Sequence, residues 1–136
     1  MFKDFDISKF KKMKPPGNNT FDTMQEIKEL NKIPINKKFV KDNDNIEKVF
    51  KKVAEKKDIK NYDKNIVKKL INSSAPIILK LKKHFNRPRP KVLAKKLNIK
   101  MKDIEMNSMK TPSYPSGHST QGVLISLVLG DKYPKA

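Results

Sequence analysis

Two short stretches of this 136-residue chain concentrate the side chains able to do chemistry. Its only arginines, Arg87 and Arg89, sit two apart in KKHFNRPRP, and its only histidines are His84 and His118. The remaining fixed positive charge is carried by 30 lysines. Arginine offers a planar, permanently charged fork that grips an oxyanion through two parallel hydrogen bonds, and lysine cannot copy it. Taken alone, a pair of arginines in a Pro-rich turn fits a plain surface role equally well. The second stretch is SYPSGHS, residues 113–119, where a loop enters an apolar run. A helix N-terminus there exposes unpaired N–H groups and a partial positive charge. Ser116 can cap the helix or donate its hydroxyl to an anion, Gly117 allows close backbone approach, and His118 can donate a proton near neutral pH. The chemistry these residues suit is the binding and protonation of an anion. On its own, Ser-Gly-His also fits an ordinary cap beside a surface histidine.

The elements that must hold these residues read as helices. Residues 1–19 form an irregular arm ending in Pro15-Pro16-Gly17. Residues 20–136 form the domain. Thr20 caps a helix with Phe21, Met24, Ile27 and Leu30 at intervals of three, and Pro34 stops it. Asn43, Asp44 or Asn45 caps the next, where Ile46, Val49, Phe50 and Val53 make one stripe. Asp63 caps a third helix carrying Ile66, Val67, Leu70 and Ile71. Ser74 and Pro76 open a fourth with Ile77, Ile78, Leu81 and Phe85. The RPRP tract breaks that helix, because proline disfavours helical geometry in the residue before it. A short helix over 92–97, a loop over 98–115 and a last helix over 116–131 follow. No segment alternates as a strand would, so the expected fold class is an all-α, single-domain bundle.

Residues 111–130 contain no Lys, Arg, Asp or Glu, in a chain that is 34% charged. This predicts a buried, central last helix, with Gly122, Ser126 and Gly130 admitting a close neighbour in line with His118. The net charge is +18. Charge of that size suits a nucleic-acid partner, but the lysines are scattered without interleaved aromatics. Abundant Lys, Asn and Ile together point instead to compositional bias of coding. The chain has no cysteine, which excludes disulfides and thiolate chemistry. No apolar run approaches the ~20 residues of a membrane-spanning helix. The N-terminus has no apolar signal region, so a soluble, cytoplasmic protein is expected. Composition does not fix the oligomeric state, and a homo-oligomer is compatible with it.

KKHFNRPRP followed by SYPSGHS resembles the first two signature motifs of the type 2 phosphatidic acid phosphatase and haloperoxidase superfamily. Within it, the chain is most similar to the class A (non-specific) acid phosphatases. Their first motif is a lysine, six residues, then Arg-Pro. Lys80 with Arg87 and Lys82 with Arg89 both fit, and the second frame is preferred because Arg87 then fills a place where family members often carry another arginine. Their second motif, P-S-G-H, matches Pro115 to His118, with Ser113 and Tyr114 also fitting. The likeness is specific over residues 80–90 and 111–130.

The resemblance implies a phosphomonoesterase acting through a phosphohistidine, with no metal. Lys82 and Arg89 would hold non-bridging phosphate oxygens. Ser116 and the Gly117 N–H would hold another, and His118 would protonate the leaving oxygen. Lys80, Arg87 and Tyr114 would support. A haloperoxidase relative would hold vanadate in the same pocket. The family's third motif, with Ser-Arg and a histidine nucleophile followed by an orienting Asp, has no counterpart. Only 18 residues follow His118, and none is Arg or His. A truncated product is the expectation, ahead of a degenerate relative or completion by a second chain. The rival readings are a vanadate-dependent haloperoxidase, a lysine-rich nucleic-acid-binding protein without catalysis, and a membrane lipid phosphatase.

Overall fold

A computed structural model describes residues 2–102 and 107–135. Its elements are α1 (Ser8–Lys11), α2 (Phe21–Lys32), α3 (Lys37–Asn43), α4 (Ile46–Lys56), α5 (Lys64–Phe85), α6 (Pro90–Lys96), a 3-10 turn (Asn107–Lys110) and α7 (Gly117–Lys132). There is no strand among the described residues, and the fold is all-α.

Side-chain oxygens start most of these helices. Thr20 accepts from the Thr23 N–H at 3.3 Å, Asn45 from Lys48 at 3.1 Å, Asp63 from Asn65 at 3.0 Å and Ser116 from Ser119 at 3.2 Å. Each such cap is worth about 1 kcal/mol. Left-handed Asp58, Asn86 and Asn98 end α4, α5 and α6, a conformation that Asn and Asp tolerate best among residues other than glycine. Beyond two of these ends the chain folds back. The Ile59 N–H bonds the Ala54 carbonyl, and the Ile99 N–H bonds that of Ala94.

The core lies in two small clusters. Ile27 of α2 meets Leu93 and Ala94 of α6, with Leu97, Ile99 and Met101 against them. Val67 and Leu70 of α5 meet Ile125 of α7, flanked by Ile46 and Phe50 of α4. The RPRP turn runs from the end of α5 to the start of α6 and so joins the two clusters.

Several expectations need correction. The break at Ser74–Pro76 is absent, and α5 runs unbroken through Pro76. An interior proline costs about 3 kcal/mol. Against that, Val67, Leu70, Ser74, Ile78 and Leu81 are all buried at three- and four-residue intervals. Each apolar side chain fully buried contributes roughly 1.5–3 kcal/mol, so one continuous helix wins. The arm of residues 1–19 is not wholly irregular: α1 packs on α5, and Phe5 stacks on Phe10 at 5.3 Å. Helix α3 was not expected. The loop anticipated over 98–115 contains the 3-10 turn, and its residues 103–106 lie outside the described residues. The last helix is not buried as a whole. Ile125 is fully buried, but Val123 and Leu127 are 62% and 67% exposed. Of the small residues, Gly122 faces Ile46, while a side chain at Gly130 would meet nothing within 4 Å.

Candidate anion-binding site

The site begins on the buried face of α5. Lys82 lies one turn beyond Ile78 on that face and is only 5% exposed. Burying an ammonium is costly unless something answers it. Its Nζ donates to the Pro112 carbonyl at 2.6 Å. Burial, and secondarily the charge of Arg89, push its pKa below the ordinary lysine value. Lys80 is exposed on the surface of the same helix.

After left-handed Asn86 the chain turns away, and prolines 88 and 90 hold it extended until α6 begins. The two arginines then part company. Arg87 Nη2 donates to Glu26 Oε2 at 2.8 Å and to Thr23 Oγ1 at 3.2 Å, both on α2. That pins the turn to the α2–α6 cluster. Its Nε is buried without a hydrogen-bond partner. Arg89 flanks α6 as its N-cap and donates from Nε to the Thr111 carbonyl at 2.8 Å.

Lys82 and Arg89 therefore grip adjacent carbonyls, Pro112 and Thr111, just before the Pro-Ser-Gly-His sequence. Further bonds hold the same segment. The Ser113 N–H donates to the Arg87 carbonyl at 2.9 Å, and its hydroxyl donates to Pro88 at 2.9 Å. Tyr114 packs edge-on against Phe85 at 5.0 Å, and its hydroxyl donates to the Met13 carbonyl at 2.8 Å. The Tyr114–Pro115 peptide is cis.

This loop delivers α7. Ser116 uses its oxygen as an acceptor for the cap, which leaves its proton able to be donated elsewhere. The N–H groups of Gly117 and His118 lie in the first turn, where no intrahelical acceptor exists. A side chain at Gly117 would meet no protein atom within 4 Å, so packing alone does not require glycine there. His118 is half-exposed, with Nε2 3.9 Å from Asp44 Oδ1 at the end of α3. His84 stays on the surface, edge-on to Phe85.

Comparison with family models, curated proteins and solved structures gives no match.

The chemistry available rests on the side chains themselves. Two cations share one loop, beside a helix N-terminus with a serine hydroxyl and an imidazole close by in sequence. Among the described residues, no group of three His, Cys, Asp or Glu could hold a metal ion. No helix among them is long and apolar enough to cross a membrane. Sequence reasoning missed Thr23 and Glu26 as the partners of Arg87, Asp44 as the neighbour of His118, and the carbonyls of Thr111 and Pro112. No local pattern marks a contact between residues 61 positions apart, as Glu26 and Arg87 are.

Proposed function

We propose that Lys82, Arg89, Ser116, Gly117 and His118 form the phosphate cradle of a phosphomonoesterase of the acid phosphatase type. Lys82 and Arg89 neutralise the non-bridging oxygens of a phosphate monoester, most strongly in the transition state. The Ser116 hydroxyl and the Gly117 N–H hold a further oxygen at the positive end of α7. His118 gives a proton to the departing alcohol oxygen. Phosphoryl transfer in this mechanism goes to a histidine nucleophile, and the motif that supplies it is absent from these 136 residues. Arg87 and Tyr114 then act as supports that fix the loop.

One observation carries this reading. A nearly buried lysine and an arginine, 7 residues apart in sequence, converge on consecutive carbonyls just upstream of Pro-Ser-Gly-His. Two like charges crowded there raise each other's cost, and an anion between them relieves it. Support for Lys82 with Arg89 over Lys80 with Arg87 comes from the shared loop, since Lys82 and Arg89 grip its consecutive carbonyls while Lys80 is exposed.

The test is calorimetric titration of phosphate and of vanadate into the chain and into Arg89→Ala, at matched ionic strength. Binding by the wild type that drops at least tenfold in the variant is expected. Equal binding by both would refute the cradle. Turnover of p-nitrophenyl phosphate by the 136-residue chain is expected to be slight, and substantial turnover would overturn the argument from the missing motif. Duplex-DNA binding that falls with salt but ignores Arg89→Ala would instead favour the nucleic-acid reading.

A further inference from the structure

A second surface stands apart from that loop. Residues 30–41, from the end of α2 into α3, carry four lysines (Lys32, Lys37, Lys38 and Lys41) and no acidic residue. Between the helices, Ile33 and Asn36 have extended backbone, with Pro34 rigid between them. Extended chain sends alternate side chains to one side, and both Ile33 and Ile35 line a single open groove. Leu30 joins them there. These three are 41%, 61% and 41% exposed in the order Leu30, Ile33, Ile35. Lys32, Lys37 and Lys102 line the same groove, and none of its described lining residues is acidic. The Asn31 side-chain amide donates to the Lys100 carbonyl at 2.7 Å, which ties the Lys102 segment to the end of α2.

Scattered exposed aliphatics need no explanation, but three in one groove rimmed by ammonium groups do. We propose that this groove is a docking surface for an anionic lipid bilayer. The lysines meet headgroup phosphates and carboxylates, and Ile33, Ile35 and Leu30 enter the boundary between headgroups and acyl chains. Charge complementarity selects an anionic partner. The branched aliphatics select lipid over nucleic acid, because a phosphodiester backbone offers them nothing to bury against. The proposal is independent of the phosphate cradle.

The experiment is flotation of the full chain with vesicles of phosphatidylcholine, with or without about one third phosphatidylserine, at near-physiological salt. Wild type is expected to float with the anionic vesicles and not with the neutral ones. Ile33→Ser with Ile35→Ser should lower that partition about tenfold, while duplex-DNA binding in the same buffer stays unchanged. Lys32→Gln with Lys37→Gln should lower it about fivefold for each charge removed. Because the chain has no tryptophan, Ile33→Trp provides a single indole, whose selectively excited emission should shift to the blue on anionic vesicles alone. Undiminished flotation of the serine pair would mean adsorption through net charge only and overturns the proposal. So does an unshifted Ile33→Trp emission, equal flotation with neutral vesicles, or DNA binding that falls in step with the serine pair.

Discussion

Replacing Lys82 by methionine separates a cation kept for a ligand from one kept for the fold. Methionine preserves the apolar stem and removes the charge. In the protein alone, the change deletes a 2.6 Å bond to the Pro112 carbonyl. A bond to a charged donor is worth about 1.5–3 kcal/mol. It also removes an ammonium that is 5% exposed and sits beside Arg89. Relief of that desolvation and repulsion offsets most of the lost bond, so unliganded stability should change by less than about 1 kcal/mol. For a chain of 136 residues this is roughly 3–4 °C in melting temperature. Phosphate separates the two roles. At tenfold excess over its Kd, phosphate adds about 1.4 kcal/mol to the wild type, or roughly 5 °C. Loss of one of two charge-assisted contacts should weaken binding some ten- to a hundredfold, leaving a shift of about 1.5 °C or less. The assay is thermal unfolding followed by circular dichroism, with and without phosphate, at constant ionic strength. A phosphate shift in Lys82→Met equal to that of wild type would refute the reasoning and make Lys82 a structural tie.

The same residue gives a pH signature. Its pKa in the folded chain lies below the ordinary lysine value, so the unfolded chain holds that proton more tightly. Protonation of Lys82 therefore favours unfolding. Its destabilising contribution is present in full below the folded pKa and fades as pH rises through it toward about 10.4. The stability of the wild type relative to Lys82→Met should thus rise in the alkaline range. Urea unfolding of both proteins across that range checks it, and a constant difference would count against the shift.

Arg87→Ala should cost about 2 kcal/mol in urea unfolding, because it strips the bonds to Glu26 and Thr23 and unpins the turn from α2. Arg87→Lys should recover less than half, since one ammonium cannot reproduce the fork. Gly117→Ala should leave stability unchanged or raise it by up to about 0.5 kcal/mol, because the added carbon meets open space, yet weaken phosphate binding measurably in titration. Tyr114→Phe should cost about 1 kcal/mol and speed tryptic cleavage at Lys12, since the bond to Met13 that holds the arm is lost.

Much of this architecture is written in single residues. Thr20, Asp63 and Ser116 were legible as helix starts, and that of α4 was narrowed to Asn43, Asp44 or Asn45, because a short side-chain oxygen after non-helical backbone has one favourable use. Pro76 misled because its local cost is visible in sequence, while the opposing gain belongs to the packed face of α5 against α7. Helix α3 left no trace, since Phe39 and Val40 are adjacent rather than spaced and none of its residues is buried. At the site, motif spacing fitted Lys80 with Arg87 as well as Lys82 with Arg89, and the family resemblance alone favoured the second frame. The bonds that tie Arg87 to Glu26 and Thr23 left no local trace, because they depend on which arginine faces α2. The grip on Thr111 and Pro112 was equally illegible, since any carbonyl in the loop could have served.

The absence of charge from residues 111–130 was read as a sign of burial, and the exposure of Val123 and Leu127 removes that explanation for the helix as a whole. Electrostatics supplies another for its first half. Residues 111–116 lie where Lys82 and Arg89 converge. A carboxylate on that loop would pair with the cations and occupy the place of an incoming anion. A further lysine there would raise the repulsion already felt by Lys82. Uncharged hydrogen-bonding groups, such as Thr111, Ser113, Tyr114 and Ser116, add neither sign of charge where the two cations meet. On this view the neutral stretch at the loop belongs to the proposed anion site, and fully buried Ile125, with half-buried Leu124, Val128 and Leu129 beside it, carries the burial that all of α7 was expected to share.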